Sequence, residues 1–239
     1  MISIICIHND QEVLEKNLLR TLREQSFKDY ELILVDTTQL AFNSAAEALN
    51  YGGEKAKGEI IVFVHQDIQL TSKFFLEELA KHSKEYDFGI AGVAGVGVNF
   101  ESFSRIVHGS HKEYSAKNYE FTEPINALSL DECLLIIPKN MFEKNKFSNL
   151  GNTWHLYGTD YSLKMLSLGN RVLILPISLW HLSEGKSLNL NYFDTIRNVA
   201  NLYSSFDNIY TLFGKWPTNR FLLYLKTFYR KTRYQILGR

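Results

Sequence analysis

The sequence predicts an α/β fold: a mostly parallel central sheet flanked by helices, with a helical extension at the C-terminal end. Two observations carry this. The first 65 residues alternate apolar, β-branched runs with amphipathic helical patterns, strand–helix–strand–helix–strand, which implies parallel strands joined by right-handed crossovers. The strand runs are also continuously apolar, as strands covered on both faces are. With 239 residues, 45% apolar and 22% charged, the chain is long enough for a sizeable core and has ordinary globular usage.

The elements follow in order. Ile2–Ile7 is the first buried strand. Residues 11–25 set Val13, Leu14, Leu18 and Leu22 on one helix face. Glu31–Val35 reads as a second buried strand, and a small-residue helix with Ala45, Ala46, Ala48 and Leu49 spans 43–56, ended by Gly58. Ile60–Val64 is the third strand. Thr71 reads as the N-cap of a helix carrying Phe74, Phe75, Leu76 and Leu79. The glycine-rich run 88–98 reads as a further strand, and 99–123 as a long loop or irregular hairpin of the kind that borders sites. Then come a strand over 130–137, a short helix over 139–145, a helix over 157–168 ended by Gly169, and a last strand over 172–175. From Leu188 onward the pattern is helical and aromatic.

Charge and cysteine usage narrow the function. The formal net charge is zero, which disfavours nucleic-acid binding by a globally basic surface. Cys6 and Cys133 are the only cysteines and have no metal or disulfide spacing, which suits a reducing cytoplasm. No signal peptide and no membrane-spanning run is expected. Beyond Asn208 the chain carries Lys215, Arg220, Lys226, Arg230, Lys231, Arg233 and Arg239, no acid, and interleaved Phe221, Leu222, Leu225, Phe228 and Tyr229. Two readings stay open: an interfacial helix whose 215–239 segment contacts an anionic membrane surface, or a packed helix with a solvated basic face.

The polar residues gather where an open α/β sheet binds ligands, beyond the carboxyl ends of its strands. The three strands end at His8-Asn9-Asp10, Asp36-Thr37-Thr38 and His65-Gln66-Asp67. Asp10 reads as a structural helix cap; Asp67, after an unbroken apolar run, reads as functional. The turn after the first strand has no glycine, so neither a dinucleotide fingerprint nor a phosphate-cradling loop is present. A metal held by side chains is the natural substitute.

At this point the run Ile2–Asp67 resembles family 2 glycosyltransferases of the GT-A fold, whose first half is a Rossmann-like nucleotide-binding unit. The residues that carry the resemblance are Asp36, Asn50-Tyr51-Gly52, Ala56-Lys57-Gly58-Glu59-Ile60 and His65-Gln66-Asp67. Trp154-His155-Leu156-Tyr157-Gly158-Thr159-Asp160, then Gly169 and His181, is similar to the acceptor half of those enzymes. The resemblance covers roughly 2–185 and divides the chain into a domain over 1–187, with a donor half to about 98 and an acceptor half beyond it, and an extension over 188–239. It implies that His8, Asp36, Asn50, Gln66 and Asp67 bind a nucleotide-sugar donor. Asp67 and His181 would hold Mn²⁺ or Mg²⁺, and Asp160 would be the general base. Two departures stand out: His65 replaces the first acid of the D-x-D motif, and Leu49 replaces an arginine near the phosphates.

With one base and no second carboxylate nucleophile, single displacement with inversion is the expected chemistry. Asp131, Trp154 and His155 are expected to bind the acceptor, a glycan that is lipid-linked or protein-linked, with the lipid-linked class favoured at the inner membrane face. His108 and His111 lie in the polar segment and read as substrate contacts rather than metal ligands. His82 reads as solvated. Two alternatives remain: an inactive donor- or partner-binding domain, and a sugar-1-phosphate nucleotidyltransferase, which would want the glycine-rich basic loop that is missing.

Overall fold

The computed structural model of the chain describes residues 1–109, 113–114, 118–183 and 189–237, with backbone alone at 113–114 and 237. His111 and Arg239 lie outside these residues. Strand β1 (Ile2–His8) is largely apolar on both faces and lies inside the sheet, next to its edge strand. It lies parallel to β2 (Tyr30–Asp36) on one side and β3 (Ile60–His65) on the other. β4 (Ile68–Leu70) leaves the main sheet. The segment 88–98 is two strands, β5 (Ile90–Gly92) and β6 (Ala94–Gly97), broken at Val93. The stretch 99–123 is less irregular than its composition suggests: it contains β7 (Ser102–Ser104), β8 (Ile106–His108) and β9 (Glu113–Tyr114). The apolar run 130–137 is likewise divided, β10 (Ile125–Leu130) turning through 131–133 into β11 (Leu134–Pro138).

β12 (Val172–Ile174) is not the last strand. β13 (Leu179–His181) follows, and Asn208–Thr211 and Gly214–Pro217 pair as a hairpin, β14–β15, inside the segment whose pattern reads as helical. The main sheet has nine strands in the order β2-β1-β3-β11-β5-β12-β10-β6-β7. β2, β1, β3, β5, β12 and β6 run one way, and β11, β10 and β7 the other. β2 is therefore an edge strand, and Leu32 and Leu34 are 37% and 39% exposed rather than buried.

Helices cover both faces. The first runs through α1 (Gln11–Leu14), a π turn (Glu15–Leu19) and α2 (Arg20–Arg23), and packs Leu14, Leu18 and Leu22 with α4 (Phe75–Glu85) against Ile2, Ile4 and Cys6. α3 (Ala45–Gly53), α5 (Lys139–Lys144) and α6 (Tyr157–Ser167) cover the other face around Ile5, Phe63 and Phe142. Successive residues of β1 thus feed opposite layers, the period of two that a two-faced strand requires. Ser44 caps α3. Thr71 does not cap α4: its hydroxyl donates to Ser178 O, and the Ser72 hydroxyl accepts from Phe74 N. Gly58 allows close approach, since a Cβ there would lie 2.7 Å from Met1 O and Ser3 N. A third cluster joins α6 to α7 (Asn191–Leu202), the hairpin and α8 (Arg220–Leu237) around Ile196 and Trp216.

Candidate active site

Parallel register brings the polar strand ends to one level. His8 lies opposite Asp36 and Ile7 opposite His65. Asp10 is the helix cap, accepting from Glu12 N and Val13 N at 3.0 Å each. The Gln66 amide ties the rims of β1 and β3: Oε1 accepts from Asn9 N (3.0 Å) and Asp10 N (3.1 Å), and Nε2 donates to Asn9 Oδ1 (2.8 Å). A cavity of about 390 Å³ opens over these ends, lined by His8, Asn9, Thr37, Leu49, His65, Gln66, Asp67, Glu132 and Trp154 among others.

Two expected donor residues stand outside that lining. Asp36 turns back on its own loop, where Oδ1 accepts from Thr38 N (2.8 Å) and Thr38 Oγ1 (2.7 Å), bonds that hold its carboxyl below the ordinary value. Asn50 is engaged elsewhere. Its amide brackets the Phe147 backbone, donating to Phe147 O (3.1 Å) and accepting from Phe147 N (3.0 Å), so it pins a loop.

β13 returns the late histidine to the rim. It pairs antiparallel with β4, His181 opposite Ile68, and Leu182 N donates to Asp67 O at 3.0 Å. His181 Nε2 then lies 3.2 Å from Asp67 Oδ2, and ligand atoms of His65, Asp67 and His181 all fall within 4.8 Å of one another. Among the described residues this is the one such group of three His, Cys, Asp or Glu side chains. Burial, and then the nearby His181, hold His65 below its ordinary value, so its ring is neutral and able to ligate. Burial alone would raise Asp67, but the His181 hydrogen bond and charge outweigh it and the carboxyl stays low. His181 Nδ1 is buried without a partner. The Tyr157 hydroxyl lies 2.7 Å from His65 Nε2 and orients that ring from outside. Two imidazoles, a carboxylate and an orphaned ring nitrogen fit a divalent cation.

A second cavity of about 110 Å³ adjoins the first, lined by His108, Asp131, His155, Thr159, His181, Tyr192, Leu212 and Phe213 among others. Among the described residues, only His65 and Glu132 line both cavities. Asp131 lines the smaller one, with Oδ1 accepting from Cys133 N (2.9 Å). His155 is there too, and burial holds its imidazole below the ordinary value. Trp154, 47% exposed, lines the larger cavity instead, because adjacent residues of this turn face opposite sides. His108 contributes a ring 5.5 Å from that of His181, while its Nδ1 lies 3.0 Å from Ser183 O. His82 is only half-buried, stacked on Tyr86.

Asp160, expected as the base, is 0% exposed and lines neither cavity. Oδ2 accepts from Ser148 N (3.0 Å) and Oδ1 from the Tyr203 hydroxyl (2.7 Å). Both oxygens are engaged by these partners, so the side chain is placed to hold α7 and the 146–148 loop on α6. Sequence reasoning passes over Glu132 and Tyr157. The signal for Glu132 is the carboxylate pair Asp131-Glu132 opening an apolar run.

A family described as "Glycosyltransferase like family" matches residues 3–201. Comparison with curated proteins returns no match. Among solved structures, S. aureus TarS 1-349 aligns with TM-score 0.57 and 18% identity over 84% of this chain and 64% of that one. GalNAc-T7 with UDP, GalNAc and Mn²⁺ aligns at 0.60 and 14%, over 83% and 47%. The mannosyltransferase PcManGT from Pyrobaculum calidifontis, with GDP-Man and Mn²⁺, aligns at 0.60 and 14%, over 95% and 69%. The chain thus spans less than two thirds of the TarS fragment and about half of GalNAc-T7. At these identities the likeness is one of fold, the GT-A arrangement.

Proposed function

The chain belongs to the glycosyltransferase-like family, and from that premise we propose that it moves a glycosyl group from a nucleoside-diphosphate sugar to a hydroxyl of a growing glycan. The observation that carries this reading is the meeting of two cavities at His65 and Glu132, beside the His65–Asp67–His181 cluster. The larger takes the donor, with His8, Gln66 and Asp67 as contacts and Asp36 at the rim. The smaller takes the acceptor hydroxyl between Asp131 and His155. Trp154, at the mouth of the larger cavity, offers an aromatic face to a sugar.

His65, Asp67 and His181 would hold a divalent cation, which when bound offsets the charge developing on the diphosphate leaving group. Two imidazoles make a poor seat for Mg²⁺, which prefers oxygen ligands, and Mn²⁺ is the ion bound in the GalNAc-T7 and PcManGT structures. Attack by the acceptor oxygen on the face opposite the leaving group inverts the anomeric carbon. The burial of Asp160 favours a second reading, a binding domain without turnover. Incubation with a panel of nucleotide sugars and Mn²⁺ separates the two: transfer predicts release of free nucleoside diphosphate from one donor, and release from none overturns it.

The acceptor's lipid linkage, and a cytoplasmic place at the inner membrane face, are supported by α8. No helix among the described residues is long and apolar enough to cross a membrane. Leu223 and Thr227 of α8 pack inward, while Phe221, Leu222, Leu225, Phe228, Tyr229 and Ile236 stand 48% to 74% exposed on the opposite side. No acidic residue occurs beyond Asp207. An outward apolar stripe in a wholly basic segment suits an anionic lipid surface. The hairpin on which α8 packs also lends Thr211, Leu212 and Phe213 to the acceptor cavity, so a lipid-anchored acceptor would meet both. The protein is expected to co-sediment with phosphatidylglycerol-containing vesicles and not with pure phosphatidylcholine. Changing Phe221, Leu225 and Phe228 together to serine should lower that binding at least tenfold. Self-association lost in the triple variant, with no vesicle binding by the parent, would assign the stripe to a second copy instead.

A further inference from the structure

We propose that Glu132 is the general base that takes the acceptor proton. This rests on the glycosyl-transfer reading and names a residue for the role that Asp160 is not placed to fill.

The position comes first. Glu132 lies in the turn between β10 and β11 and, with His65, is one of two described residues lining both cavities, so it borders the junction where acceptor and donor would meet. Its Oε1 is buried and has no hydrogen-bond partner, an orphan that native interiors seldom keep without a use. Asp131, beside it, already spends an oxygen on Cys133 N.

The surroundings are built to hold it. The backbone N–H groups of Leu156, Tyr157 and Gly158, at the start of α6, act on its carboxyl, and the Tyr157 hydroxyl donates to Glu132 O at 3.2 Å. Leu156 enters this turn at φ +65°, a left-handed conformation costly for a branched side chain, of the kind that clusters at functional sites. Gly158 leaves the room: a Cβ there would lie 3.2 Å from Glu132 Cγ and 3.1 Å from Leu130 O.

The step balances. The acceptor O–H proton passes to Glu132 Oε1 as the acceptor oxygen forms its bond to the anomeric carbon. The anomeric carbon–phosphate oxygen bond breaks, and its electron pair leaves with the nucleoside diphosphate. Burial, then the neighbouring Asp131, pushes the Glu132 carboxyl up to about 8. Near neutral pH the ionised form that takes the proton is therefore the minority, and turnover should rise as pH climbs toward about 8. The other titratable groups around it are Tyr157 from α6, His65 from β3, Tyr192 from α7, and His108, His155 and His181 lining the smaller cavity.

The same burial gives a readout independent of turnover. An unfolded chain ionises this carboxyl above about pH 4.5, whereas the folded one keeps its proton to about 8. Glu132 therefore costs stability progressively as pH rises through that window, and glutamine removes the cost. Glu132→Gln is expected to lower nucleoside-diphosphate release at least a thousandfold, with UDP or GDP affinity in the presence of Mn²⁺ unchanged within about threefold. Its Tm should exceed the parent's by a few degrees at pH 8 and match it near pH 4.5. Glu132→Asp should recover part of the rate. Near-parental turnover in Glu132→Gln, or lost turnover together with a Tm below the parent's at pH 8, overturns the assignment. A parent that releases nothing from any donor overturns the transfer reading itself, whatever the Tm profile shows.

Discussion

Asp67→Asn is expected to cost about a thousandfold or more in kcat/KM for transfer, roughly 4 kcal/mol of transition-state stabilisation. A carboxylate as enclosed as Asp67 would ordinarily favour its neutral form, and it is held ionised by His181 at 3.2 Å. The neutral amide keeps the shape and removes the one formal negative charge among the three ligands. What remains is a pair of imidazoles, a weaker seat for an ion that must also grip a diphosphate. Calorimetric titration with Mn²⁺ should show affinity falling at least tenfold, in step with turnover. Because the Asp67 backbone carbonyl still receives Leu182 N, β4 and β13 should stay paired and Tm should move little. Chelation of the parent should reproduce the loss, and Mn²⁺ should restore it better than Mg²⁺. Unaltered Mn²⁺ affinity and turnover in Asp67→Asn would remove the cluster from the chemistry.

The polar rim of the sheet was legible because its signal is local. A strand covered on both faces is uniformly apolar, so the first polar residues after Ile7 and Val64 mark where the chain leaves the sheet. Parallel register then sets those exits side by side, as His8 beside Asp36 shows. His181 was legible only through resemblance, since nothing near it in sequence says that β13 pairs with β4. What stayed hidden was hidden by packing. Leu32 and Leu34 look like core, yet they are exposed because β2 is the sheet edge, and strand order is not written in one strand's pattern. Glu132 sits where a single apolar pattern over 130–137 conceals a turn between antiparallel strands. The hairpin had a cue, the left-handed Gly214 at φ +127°, but its aromatic residues fit a helical period as well as an alternating one.

Asp160 shows most directly how one residue type supports two readings. A carboxylate in the first turn of α6 beside an aromatic loop can face a substrate or anchor the next layer, and Tyr203, forty-three residues on, decides between them. Asp160→Asn is accordingly expected to act on stability. Asparagine retains one acceptor oxygen but offers an N–H where either the Tyr203 hydroxyl or Ser148 N now donates, leaving a buried donor unmatched. That costs on the order of 3 kcal/mol, or a fall in Tm of about 10 °C for a domain of this size. The linked loop also carries Phe147, which Asn50 pins from α3, so the opening should spread through the layer that joins α6 to α7. At a temperature where the variant remains folded, turnover per folded molecule should stay within about threefold of the parent. Calorimetry and a donor-release assay on the same preparation measure both. A collapse of turnover beyond a hundredfold with an unshifted Tm would return Asp160 to the role of base, and would require its carboxyl to turn out of the core and abandon both present partners.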